Sequence, residues 1–166
     1  MASDRTLVAI RPARDEDAAE VAEIWGLGWL DGHRGLVPQE LVDVRTPASF
    51  STRAAERVPD TTVATVDGAV AGFVMVVDDE VEQVYVSAPH RGTGVSTALM
   101  DEAERRVRAN GHSTAWLAVV AGNARARAFY VRCGWSDEGP FDYAAAGETG
   151  PIMVPTHRYT KLLKGR

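Results

Sequence analysis

The spacing of apolar residues changes along the chain, and each change predicts an element. Leu7-Val8-Ala9-Ile10-Arg11 alternates as a strand does and stops at Pro12. Asp15 or Asp17 then caps a helix whose apolar face holds Ala18, Val21, Ala22, Ile24 and Trp25 and extends through Leu27-Gly28-Trp29. The segment Asp31-Gly32-His33-Arg34-Gly35-Leu36-Val37-Pro38 breaks it. Pro38, read as a first helical position, opens a short helix over Gln39 to Val44, and Ser49 or Ser51 caps a third that ends at Arg57. From Thr61 the period becomes two. Thr61 to Val66, Val70 to Val77 and Glu80 to Val86 read as strands joined by turns at Asp67-Gly68 and Asp78-Asp79, and Asp-Gly between apolar runs signals a hairpin. These are three antiparallel neighbours.

The third strand runs into Pro89-His90-Arg91-Gly92-Thr93-Gly94-Val95-Ser96, a glycine turn that opens directly into a helix from about Gly94 to Asn110. Val95, Leu99, Ala103 and Val107 form that helix's apolar stripe, and Asn110-Gly111 ends it. Glycines at such a turn expose amides, and the first N–H groups of the helix carry partial positive charge, so backbone alone builds an anion cradle. Thr114 to Val120 is a nearly continuous apolar strand, which suits a sheet covered on both faces. The strand–helix–strand order makes it parallel to Glu80–Val86 with a right-handed crossover. Asn123 caps a helix that ends at Cys133-Gly134, and Trp135 to Phe141 and His157 to Leu162 read as closing strands with a long connection, Asp142 to Pro155.

Length and composition narrow the classes. A chain of 166 residues fits one domain over residues 1–166, and 45% hydrophobic with 25% charged residues is ordinary for a soluble globular protein. The start Met1-Ala2-Ser3-Asp4-Arg5 has no apolar signal core and no run suits a membrane span, so the expected location is cytoplasmic. Cys133 is the single cysteine and is expected to be a small buried hydrophobe, and the four histidines show no ligand spacing, so no metal is expected. A net charge of −5 with scattered arginines disfavours a nucleic-acid partner and suits a cationic substrate better.

The glycine turn fits neither of two familiar phosphate loops. A Walker loop needs a lysine where none stands before Lys161, and the dinucleotide fingerprint needs a glycine where Thr97 stands. Arg91-Gly92-Thr93-Gly94-Val95-Ser96 instead resembles the Arg/Gln-x-x-Gly-x-Gly/Ala loop of the GCN5-related N-acetyltransferase (GNAT) family, with Ser96 in place of the usual small residue. Asn123-Ala124-Arg125-Ala126-Arg127-Ala128-Phe129-Tyr130 through Gly134-Trp135 is similar to that family's second signature, with Trp135 replacing a phenylalanine. One helix and one strand separate the two, as in the family.

The resemblance implies an α/β (α+β) fold with a mixed, mostly antiparallel central sheet of about six to seven strands. The parallel pair, Glu80–Val86 and Thr114–Val120, would splay at the cofactor site, with helices flanking the sheet. It implies acetyl transfer from acetyl-CoA to a primary amine of a small molecule or peptide, by direct attack in a ternary complex. Backbone of Val84, Tyr85 and Val86 would bond the pantetheine arm. Arg91 and the amides of Gly92, Thr93, Gly94, Val95 and Ser96 would hold the pyrophosphate, and Asn123 and Arg125 complete the cofactor set. Tyr130 would protonate the departing thiolate. The acceptor site would draw on Trp25, Trp29, Asp31, His33, Arg34 and the Asp142–Pro155 connection, with Trp29, His33 and Arg34 touching substrate; of the two tryptophans, core is the commoner role. His90 stands beside the loop, equally suited to phosphate or water. A homodimer joined by an edge strand is also implied.

Elementary chemistry tests these roles. A tyrosine pKa of about 10 against about 8.5 for a thiol makes proton donation uphill by roughly 2 kcal/mol, small within an enzymatic barrier. An alkylamine of pKa near 10.4 is only about one part in two thousand neutral at pH 7, a deficit of about 4–5 kcal/mol that a base must offset. Glu80 and Glu82 are the candidates: in a regular strand they share a face with Val84 and Val86, and Glu80 matches the acidic position that several family members use. Two other classes stay open: a non-catalytic acyl-CoA sensor of the same fold, and an enzyme modifying a nucleic acid, which the acidic balance disfavours.

Overall fold

The computed structural model describes residues 8–164. Seven strands form one sheet in the order β1-β2-β3-β4-β5-β7-β6. The elements follow in chain order: β1 (Val8–Pro12), α1 (Ala18–His33), α2 (Gln39–Val44), α3 (Pro47–Glu56), β2 (Thr61–Val66), β3 (Ala69–Val77), β4 (Glu80–Val86), α4 (Val95–Ala109), β5 (Thr114–Val120), α5 (Ala124–Arg132), β6 (Ser136–Ala146) and β7 (Pro151–Leu162). Only β4 and β5 pair in parallel; every other neighbour is antiparallel. The predicted architecture is therefore the observed one. Leu7, read as the first strand residue, lies outside the described residues.

The sheet separates two cores. Val95, Leu99, Ala103 and Val107 of α4 pack with Val74, Val76 and Val81 on one face. On the other, Trp25 of α1 and Phe50 of α3 pack with Val63, Phe73 and Met75. The Asp67-Gly68 turn has both residues at positive φ, 51° and 86°, the backbone that a two-residue hairpin needs.

Several local expectations are corrected. Thr46, not Ser49 or Ser51, caps α3: its Oγ1 accepts from the Ser49 amide at 3.1 Å, with Pro47 in the first turn. Pro38 stands one position before its expected place, as the N-cap of α2, and α1 continues through Asp31 to His33. Asp17 does occupy the N-cap of α1, but its carboxylate turns back, accepting from Arg11 at 2.7 and 3.0 Å and from the Arg14 amide at 2.7 Å, so it caps the short turn before α1 rather than α1 itself. That guanidinium holds the Asp17 carboxyl below the usual range. Cys133 is half-buried rather than buried.

The largest correction concerns the last hairpin. β6 runs on to Ala146 and β7 starts at Pro151, so the connection expected from Asp142 to Pro155 is mostly paired strand. Ala144-Ala145-Ala146 has little β preference of its own; pairing with Met153, Ile152 and Pro151 overrides it.

No helix among the described residues is long and apolar enough to cross a membrane. Trp25, fully buried between Phe50 and Phe73 at 5.4 and 5.9 Å, ties α1 and α3 to the sheet. Trp25→Ala should cost about 3–5 kcal/mol. Urea unfolding checks this, and a loss below 1 kcal/mol would mean that the core closes over the gap.

Candidate functional site

β4 and β5 touch through one pair, Glu80 opposite Trp116, reinforced by the Trp116 amide on the Asp79 carbonyl at 3.1 Å. Beyond it the strands part. Each still pairs on its far side, β4 with β3 and β5 with β7, so their facing edges carry backbone polar groups without a strand partner. A cavity of about 880 Å³ fills the opening. Its walls include Trp29, His33, Glu80, Glu82, Val84, Tyr85, Val86, Arg91, Ser96, Asn123, Arg125 and Tyr130, all predicted from sequence. Arg34, exposed, and His90, half-buried, lie outside these walls, as do Gly92, Thr93 and Gly94 of the turn; Val95 is buried in the core, leaving only its backbone for a ligand.

Small residues on α1 make room for the walls. A Cβ on Gly28 would lie 2.5 Å from the Tyr85 ring, and one on Gly32 would lie 2.9 Å from Nδ2 of Asn123. The helix thus lies directly against two cavity residues. Asn123 Oδ1 accepts from the Ala126 amide at 3.2 Å, fixing the start of α5 and hence Tyr130 two turns on.

At one end of the opening stands the cradle. Gly92 and Gly94 have φ of 76° and 90°, and a Cβ on either meets no protein atom within 4 Å, so the space above the turn is open. Among the described residues no backbone carbonyl accepts from the amides of Gly92, Thr93, Gly94, Val95 or Ser96, and no side chain caps α4. Thr93 donates its hydroxyl to the His90 carbonyl, and Arg91 reaches Asp31 on α1 at 3.3 Å. Five free amides at a 15-residue helix start suit a diphosphate.

At the other end the carboxylates are not where simple alternation puts them. Met75 pairs with Gln83 but Val76 pairs with Val81, so Glu82 is an extra residue in a β-bulge. The bulge reverses the facing of everything before it. Val81 joins Val84 and Val86 in the core beneath α4, while Glu80 and Glu82 turn to the α1–α3 face. The expectation that both glutamates share a face with Val84 and Val86 is thereby overturned.

Their surroundings differ. Glu82 accepts from Arg57 Nη1 at 2.6 Å, an ion pair at the end of α3. Glu80 accepts from the Tyr143 hydroxyl at 2.6 Å. Burial raises the Glu80 pKa above the ordinary carboxyl value, and the Tyr143 hydrogen bond acts in the opposite direction. Tyr130, among Phe129, Trp135 and Tyr159, has its phenol pushed well up by desolvation, so it keeps its proton throughout the neutral range. His33 stacks on Trp29 with ring centroids 4.7 Å apart, and burial lowers its pKa, favouring the neutral imidazole. Among the described residues no group of three or more His, Cys, Asp or Glu is placed to hold a metal ion.

Among the wall residues that sequence reasoning did not single out are Arg45, Arg53 and Arg57. Arg53 and Arg57, four apart on a predicted helix, were the available signal, since such residues share a face. Tyr143 lies in the Asp142–Pro155 segment expected at the acceptor site, but its hydrogen bond to Glu80 was not foreseen, because the strand that carries it was read as a connection.

A parallel pair splayed around a cavity, with an amide cradle at the strand-to-helix turn, is the arrangement on which the two sequence motifs converge. Residues 38–135 match the model of the acetyltransferase (GNAT) family, and the chain belongs to that family. An uncharacterised N-acetyltransferase of Mycobacterium tuberculosis is 30% identical over 95 residues, which cover 53% of this chain and 61% of the relative. The chain thus spans about three fifths of the curated relatives it matches. A solved GCN5-related N-acetyltransferase of Rhodopseudomonas palustris superposes with a TM-score of 0.72 at 25% identity, covering 98% of this chain and 99% of that one. The yncA structure of Salmonella typhimurium, solved with acetyl-CoA, gives a TM-score of 0.71 at 18% identity over 97% of this chain and 96% of that one, a likeness of fold.

Proposed function

We propose that the protein transfers an acetyl group from acetyl-CoA to a primary amine of a small molecule or peptide, by direct attack in a ternary complex. The observation that carries this reading is a cavity open between two splayed strands, with Glu80 on its wall and, where Arg91 and Ser96 line it, the turn that carries the free amides. Acetyl-CoA, when bound, supplies an activated acyl carbonyl. Amides from Gly92 to Ser96, with Arg91, hold its pyrophosphate, and the free edge of Val84 to Val86 bonds its pantetheine arm. Asn123 and Arg125 complete that side.

Glu80 is the base. Glu82 is held by Arg57, whereas Glu80 has only a neutral hydroxyl on it and a raised affinity for a proton. It receives the proton that the amine sheds as the carbon–nitrogen bond forms. Tyr130 donates a proton to the sulfur as the carbon–sulfur bond breaks. Its raised pKa makes full transfer more uphill than for free tyrosine, so the phenol acts by hydrogen bonding early and yielding its proton late.

Calorimetric titration with acetyl-CoA, CoA and ATP is the first test. Micromolar binding that is weaker for ATP, and weakened at least tenfold by Gly94→Val at φ 90°, supports the cradle; equal affinity in the variant relocates it. Turnover is then read by thiol release. Tyr130→Phe should lower kcat about 100-fold with little change in acetyl-CoA affinity, and unchanged turnover transfers the acid role to water. Tyr143→Phe removes the bond that lowers the Glu80 pKa. The base must be deprotonated, so the acidic limb of kcat/KM should move to higher pH; a limb that stays in place excludes Glu80.

The reading includes a cytoplasmic homodimer joined at β1 or β6, the two edges of the sheet. Sedimentation at micromolar concentration checks it, and a monomer there overturns it.

A further inference from the structure

The acceptor half of the cavity carries more positive charge than its carboxylates answer. Arg45, at the end of α2, and Arg53 and Arg57, on α3 and at its end, all line the wall. Arg57 is paired with Glu82 and with Asp60 at 3.1 Å. Among the described residues neither Arg45 nor Arg53 has a carboxylate within ion-pair distance, although Glu56 also stands on the wall. Nε of Arg45 and Nη2 of Arg57 are buried with no hydrogen-bond partner. Arg53 lies with its guanidinium carbon 4.5 Å above the Trp25 ring, which holds the fork in one place.

Arg45 and Arg53 are half-buried, and a partly desolvated cation without a partner is costly unless a ligand supplies the counter-charge. The planar guanidinium fork matches a carboxylate. Burial lowers the Arg45 pKa to about 10, which leaves it charged at neutral pH.

Arg53 and Arg57 are not placed for the cofactor's phosphates. Arg57 bonds Glu82 near the start of β4, whereas the cradle lies past its end, beyond Val86. Arg53 sits over Trp25, and Arg91 of the cradle reaches Asp31, six positions or about 9 Å further along α1.

From this arrangement we infer that the acceptor is an amino-acid-type amine, whose carboxylate is bound by Arg45 and Arg53 while its amino group faces Glu80. The inference rests on the N-acetyltransferase reading and narrows its acceptor.

The test compares four amino acids with their decarboxylated partners: phenylalanine with phenethylamine, leucine with isoamylamine, histidine with histamine, and lysine with cadaverine. Thiol release gives kcat/KM for each. A readout independent of turnover is calorimetric binding, with CoA present, of N-acetylphenylalanine against N-acetylphenethylamine. The carboxylated member of at least one pair should be preferred tenfold or more. Arg45→Gln and Arg53→Gln should abolish that preference through KM while leaving acetyl-CoA affinity unchanged, and Arg53→Lys should restore part of it. Equal handling of both members of every pair, in turnover and in binding, overturns the carboxylate assignment. Arginine-dependent binding of the carboxylated product without turnover of any amine keeps the assignment and instead overturns the acetyl-transfer reading.

Discussion

One backbone pairing governs the molecule: the single bridge between Glu80 and Trp116, after which two parallel strands separate. In an unbroken sheet the facing edges of β4 and β5 would satisfy each other. Here they cannot, and backbone donors and acceptors inside a fold must be bonded or solvated. The opening is therefore at once a defect in the sheet and a template for an extended polar chain. The far-side pairings with β3 and β7 hold each strand in place on either side of the opening. The cradle follows from the same geometry, because the turn after β4 delivers the start of α4 to the wide end.

The bulge at Glu82 is the second constraint. A regular strand would place Glu80 on the α4 side, among Val74, Val95 and Leu99, where a carboxylate has nothing to bond. One inserted residue sends Val81 there instead and moves both acids to the face that α3 and β6 close. Arg57 and Tyr143 then give them different properties. One is a fixed ion pair and the other a desolvated carboxyl with a neutral partner.

What could be read from sequence was whatever a short stretch decides alone. Asp67-Gly68 dictates its turn, the stripe Val95-Leu99-Ala103-Val107 its helix, and Gly92 and Gly94 their cradle. Asn123 caps α5 as expected. What could not be read depends on partners distant in the chain. Nothing in Glu80 to Val86 marks the bulge, which exists because of the register with β3. Ala144 to Ala146 becomes strand only against β7. The arginines of α2 and α3 gain meaning only once those helices close over the mouth of β4.

Charge shows the same division between local and global. A net charge of −5 describes the whole surface, most of which faces water and is screened within about 10 Å. A ligand in the cavity meets only the wall groups, across a medium of lower dielectric where each interaction is stronger. There Glu82 and Arg57 largely cancel, Glu80 shares its hydrogen bond with Tyr143, and the guanidiniums of Arg45 and Arg53 have no carboxylate within ion-pair distance among the described residues. The acidic overall balance suits a cationic substrate better. The wall presents both signs a short distance apart, and complementarity in a desolvated site is decided by that arrangement rather than by the sum.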